Sequence, residues 1–175
     1  MKKEIYSSIC SQVYSTLKEG EGLTIYMEGE NSQYFRFNDS KIRQTGIIED
    51  YKVTLSLYHG KKSLQATTTV SSDIDYSVNN LISEINSLRE PLSLIPDNNF
   101  TVFPIKFDSL DMHRKGDLPK REEILDSLMD VINKDKLTGV WTSGKIFRAS
   151  SSSKGTSHWF EKDSFIFDFS LIDAK

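Results

Sequence analysis

The stretch KIRQTGIIEDYKVTLSLYHGKKSLQATTTV, residues 41–70, decides the fold. Within it Tyr51, Val53, Leu55 and Leu57 alternate with Lys52, Thr54 and Ser56, the period of a strand with one buried face. His59-Gly60 marks a tight hairpin, because glycine accepts the positive φ that a two-residue connection demands. The returning segment ends in Thr67, Thr68, Thr69 and Val70, β-branched residues that suit a pleated surface. The sheet built on this hairpin is expected to be antiparallel.

Upstream, LTIYMEG (residues 23–29) and SQYFRF (32–37) read as two further strands, and Asn38-Asp39-Ser40 as the turn that leads into the quoted stretch. Four strands in meander order result. Before them, residues 3–18 place Ile5, Ile9, Val13 and Leu17 four apart, with Tyr6, Cys10 and Tyr14 alongside. That spacing predicts one broad apolar face of a helix, stopped by Gly20 and Gly22.

Downstream, residues 71–91 predict a second helix, capped by Ser72 or Asp73 and striped by Val78, Leu81, Ile82, Ile85 and Leu88. Pro91 and Pro96 are expected to end it. FTVFPIKF (100–107) reads as a short strand and DSLDMHRKGDLP (108–119) as an exposed loop. After Pro119, residues Ile124, Leu128, Val131 and Ile132 carry a third helix. TGVWTSGKIFRAS (138–150) and the run from Ser157 to Leu171 then form a hairpin, with Phe165, Phe167, Phe169 and Leu171 on one face. The order is that of an α+β protein: an antiparallel β-meander sheet packed with helices, plus a C-terminal helix and β-hairpin, in a single domain over residues 1–175.

Composition narrows the function. With 175 residues the chain can bury a real core, and a net charge of −3 offers no general attraction for nucleic acid or anionic lipid. His113-Arg114-Lys115 and Lys120-Arg121 are interleaved with Asp111, Asp117, Glu122 and Glu123, which describes a solvated face. One cysteine, Cys10, excludes an internal disulfide and fits a reducing compartment. The first twenty residues have no apolar run of the kind a signal peptide needs, and no stretch is long enough to span a membrane. A cytoplasmic protein is expected.

Reactive motifs are scarce. His59, His113 and His158 lie far apart and none is followed by Glu, so no histidine pair has zinc spacing. Cys10 falls on an apolar helix face, where a small buried residue is the ordinary reading. Ser143-Gly144-Lys145 and the serines before Lys154-Gly155 resemble phosphate loops only superficially and are read as turns. No catalytic residue and no metal ligand is assigned. A converged His, Asp and Ser hydrolase is a further possibility that only geometry can test.

Several segments taken together resemble the amino-terminal half of the TldD/PmbA family, metallopeptidase-related proteins also described as modulators of DNA gyrase. One is the pattern Phe37, Ile42 and Gln44 ahead of the hairpin closed by Gly60. Another is Leu88-Arg89 followed by Ile95-Pro96-Asp97. The third joins Gly144, Arg148-Ala149, Ser153-x-Gly155, His158-Trp159, Glu161 and Phe165-x-x-Asp168-x-Ser170-Leu171. Ser152 departs from the asparagine common in the family at that position.

The resemblance implies a non-catalytic domain of a zinc metallopeptidase or of its partner subunit, acting in peptide processing. Zinc is then expected only in a carboxyl-terminal half that this chain does not include, and no cofactor in the chain itself. Expected partners are a peptide substrate or a family partner subunit, in a homo- or hetero-oligomer at full length, without direct nucleic-acid or membrane binding. Ser153, Gly155, His158, Trp159 and Glu161 are the residues placed to contact peptide or partner. The alternative is a stand-alone protein-interaction module without enzymatic activity.

Overall fold

The computed structural model describes residues 1–104, 107–132 and 136–172. In chain order the elements are α1 (Lys3–Tyr14), β1 (Glu21–Asn38), β2 (Lys41–His59), β3 (Lys62–Thr69), α2 (Ile74–Leu94), β4 (Leu110–Arg114), α3 (Arg121–Ile132), β5 (Lys136–Ser152) and β6 (Ser157–Ile172). The six strands form one sheet in the order β3-β2-β1-β5-β6-β4.

The hairpin read from residues 41–70 is present, antiparallel, and in register from Lys52 opposite Thr69 to His59 opposite Lys62. Gly60 closes it at φ +58°. The expectation of a purely antiparallel meander is corrected: the sheet is mixed. Its β5–β6 hairpin is not an appendage, since β5 pairs beside β1. Hydrogen bonds from Ser157 N to Ser109 Oγ and from Gly116 N to Asp163 Oδ2 advance along both segments together, so β4 runs parallel to β6. The two strands read separately as LTIYMEG and SQYFRF are one continuous β1, which leaves three strands in the meander.

Smaller differences have local causes. α1 ends at Tyr14, six residues before Gly20, and tightens through bonds from Thr16 N to Val13 O and Leu17 N to Tyr14 O. α2 is capped by the Asp73 carboxylate, which accepts from Tyr76 N, and it continues through Pro91 to Leu94. Burial of Leu92 against the core outweighs the one backbone bond that Pro91 removes. Residues 110–114, read as loop, form β4, and among the described residues of 100–107 there is no strand. Ile124 of α3 is buried, whereas the side chains of Leu128, Val131 and Ile132 lie outside the described residues.

The chain forms two compact units. The first comprises Met1–Gly29, Asp50–Met112 and Phe147–Phe160. Its core joins Tyr6, Ile9 and Val13 of α1 to Leu23, Ile25 and Met27 of β1, Tyr51 to Leu57 of β2, Leu81 to Leu92 of α2, and Phe147 and Trp159. Arg89 of α2 ties the helix to the sheet: Nε and Nη2 donate to the Glu21 carboxylate at 2.9 and 2.8 Å, and Nη2 also reaches Thr16 O at 3.1 Å.

The second unit comprises Glu30–Glu49, His113–Ile146 and Glu161–Lys175. Phe35, Phe37, Ile124, Leu137 and Trp141 form its core, with Leu125 and Phe167 packed against them. Phe35 stacks on Trp141 at 5.2 Å. Ser143-Gly144-Lys145, expected as a turn, lies inside β5. A Cβ at Gly144 would stand 2.4 Å from Ser32 Cα, so glycine there lets two strands approach closely.

Candidate functional site

Helix α1 and the turn between β5 and β6 line an open pocket of about 310 Å³ in the first unit. Tyr6, Cys10 and Tyr14 recur every four residues and so share one face of α1. Alternation along β5 puts Ser151 on the same face as Phe147 and Ala149, where it meets that helix face. The turn is held by Ser152 N donating to Thr156 O and Gly155 N donating to Ser152 O, with Gly155 at φ +92°.

The polar atoms form a connected set. Tyr14 Oη lies 2.6 Å from Ser151 Oγ, Tyr6 Oη lies 3.2 Å from it, and Ser151 Oγ donates to Cys10 Sγ at 3.3 Å. Tyr6 Oη donates its own proton to Ile25 O at 2.9 Å. Because Ser151 has one proton and directs it at the thiol, Tyr14 is the donor in the short contact. Burial is the main cause that pushes the Cys10 thiol up to about 11. Burial likewise raises both tyrosines above the usual phenol value, assisted by the neighbouring Cys10. The set is therefore protonated and neutral at physiological pH, and Cys10 is not poised as a nucleophile.

The residues expected to make contacts fall in different places. Ser153 and Gly155 line the pocket. Ser153 also ties the turn to β1, donating its N–H to Leu23 O and accepting from Leu23 N at Oγ. Trp159 belongs to the core, its ring 6.0 Å from Tyr6 and 5.7 Å from Phe147. His158, the next residue back, is half-buried. Glu161 belongs to the second unit, where its Oε1 accepts from Lys145 Nζ at 3.1 Å and lies 3.3 Å from His113 Nδ1.

No family model matches this chain, and neither does any curated protein. Solved structures do. TldE from Thermococcus kodakarensis superposes with a TM-score of 0.63 at 11% identity, over 95% of this chain and 42% of that one. A protein named as a candidate modulator of a DNA gyrase from Thermotoga maritima gives 0.63 at 12% identity, over 91% and 38%. A similarly named protein from Bacteroides thetaiotaomicron gives 0.58 at 12%, over 95% and 39%.

The chain has the fold of these proteins. It spans less than half the length of each. The structural neighbours are thus the TldE and gyrase-modulator proteins that the sequence resemblance led us to expect.

Within this TldE-like fold, among the described residues, no group of three or more His, Cys, Asp and Glu side chains is placed to hold a metal. His113 beside Glu161 does not fit zinc, because the Lys145 ammonium already occupies the cation position at Glu161 Oε1 and reaches Asp163 at 3.2 Å. Burial alone would depress Lys145, but its bonds to Glu161 and Asp163 outweigh that and raise its pKa. No helix among the described residues is long and apolar enough to cross a membrane.

The pocket's helical side was not assigned from sequence. The signal was present as the Tyr6, Cys10 and Tyr14 spacing, but it is indistinguishable from an ordinary buried stripe until Ser151 is known to face it.

Proposed function

We propose that this chain is a non-catalytic domain of a TldD/PmbA-type metallopeptidase or of its partner subunit, a cytoplasmic protein acting in peptide processing. The observation that carries this is the superposition at TM-score 0.63 over 91–95% of the chain, on proteins of which it spans about two fifths. The sequence resemblance points the same way, through Arg148-Ala149, Ser153-x-Gly155 and His158-Trp159. In this reading the domain shapes the path of a peptide, and zinc belongs to polypeptide outside residues 1–175. The protonated state of Cys10 supports it, since the pocket's one soft nucleophile is held inactive by burial.

The test is to incubate the purified chain with an unstructured peptide while measuring bound zinc. The expected result is no chelator-sensitive cleavage and no stoichiometric metal. One zinc per chain together with cleavage abolished by chelator would overturn the reading.

A stand-alone interaction module is the second reading, favoured by the exposure of Phe165, Ile166, Phe169 and Leu171 along β6. It predicts capture of a protein partner that is lost on Ile166→Lys.

A further inference from the structure

We infer that the free edge of β6, residues 164–171, pairs with the same edge of a second copy of this chain, antiparallel about a twofold axis at Phe167. β4 is five residues long and lies beside the first part of β6, as far as the hydrogen bond from Gly116 N to Asp163. Past Asp163, among the described residues, no further strand of the sheet covers that edge, so its outward backbone groups stay open to one. Phe165, Ile166, Phe169 and Leu171 are 48–61% exposed there, and Asp168 is the single charge between residues 164 and 171. A long apolar edge with so little charge is a template for strand addition.

The register singles out a second copy as the occupant. An axis at Phe167 sets Phe165 opposite the partner's Phe169, Phe167 opposite the partner's Phe167, and Ile166 opposite the partner's Asp168. Aromatic side chains directly opposite one another attract, and Phe167 already stacks on Phe169 at 4.7 Å, so the aromatic row continues across the axis. Moving the axis to Asp168 would set two carboxylates against each other. Moving it to Ile166 would set Phe169 against the partner's Asp163, a carboxylate that Lys145 holds within its own subunit. Pairing at Phe167 avoids both and closes both edges at once, leaving none for a third copy. Covering the exposed side chains and edge backbone removes roughly 500 Å² per copy from water, at the low end for specific interfaces, so a dissociation constant of about 10 µM is expected. The inference uses the same strand as the interaction-module reading, with a different occupant, and does not rest on the peptide-processing reading.

The experiment is sedimentation equilibrium of the purified chain from about 1 to about 300 µM, which should show monomer and dimer and nothing larger. Ile166→Asp puts a carboxylate opposite the partner's Asp168 twice per dimer and should weaken association by about tenfold or more. Ile166→Lys puts an ammonium there and should leave association equal or tighter. Ile166→Asp combined with Asp168→Lys restores opposite charges and should bring the dissociation constant back to within about threefold of the parent. Both positions are exposed, so the variants keep the fold, checked by an unchanged denaturation midpoint of the monomer. Equal weakening by Ile166→Asp and Ile166→Lys, or no rescue in the double variant, would overturn the proposal. A parent that stays monomeric throughout would also overturn it and assign the edge to a different partner. The interaction-module reading is judged separately, because it expects Ile166→Lys to abolish capture of its partner, a change the dimer tolerates.

Discussion

The first unit buries two helical stripes, from α1 and α2, against a shared set of strand residues, whereas the second sets the buried Ile124 of α3 among four aromatic and aliphatic neighbours. The difference shows in the size of the core: among the described residues the first unit buries twenty-one side chains in one cluster and the second five. Both units leave large apolar side chains in water, Leu94 and Phe100 in the first, Phe165 and Ile166 in the second. Stability follows burial, so the two units should respond differently to equivalent insults.

Truncating a core tryptophan in each is the largest test. Trp159→Ala should cost about 4 kcal/mol in chemical denaturation and Trp141→Ala about 3, with Trp159 higher because it is packed by Tyr6 and Phe147 together. A larger loss at Trp141 would break the comparison.

Arg89→Ala should cost about 3 kcal/mol, since Glu21 would stay mostly buried, 8% exposed, without its guanidinium. Glu21 is held below the usual carboxylate value, first by the Arg89 hydrogen bonds. Its contribution is therefore present above the ordinary glutamate pKa and is lost as pH falls through the lowered one. Denaturation midpoints from pH 7 down to 2 should fall less steeply in the variant than in the parent.

Gly144→Ala sharpens the comparison within the second unit. The new methyl meets Ser32 and Asn31 backbone, so strand separation must widen, at about 2 kcal/mol. Hydrogen exchange should accelerate first in residues 30–35 and 140–146. At the opposite end of the pH scale, the raised Lys145 stabilises the second unit below the ordinary lysine value and ceases to as pH rises through its own. Lys145→Met should flatten the alkaline limb of the denaturation profile. The smallest effect belongs to Ser152→Ala, which should leave stability within about 1 kcal/mol of the parent or raise it, because no hydrogen bond is lost.

Much of the first unit was legible beforehand. The alternation from Tyr51 to Leu57, the Gly60 turn, the Asp73 cap and the α2 stripe rest on contacts near in sequence. The second unit was harder to read. Gly144 resembles a turn residue until Ser32 is known to lie against it, and β4, which begins in the first unit and ends in the second, is too polar for strand propensity to find. The candidate site divided the same way: Ser153 and Gly155 were named from sequence, while Tyr6, Cys10 and Tyr14 became site residues only through Ser151, more than 130 positions away.

The residues of this chain by themselves determined which segments alternate, which spiral and where glycine must turn, because those preferences are settled within a few peptide units. Tertiary structure alone decided that β5 lies beside β1, that β4 runs parallel to β6, and that a row of helical hydroxyls faces a serine strand. Pairing between distant strands depends on which buried faces fit together over the whole core, and no local stretch carries that information.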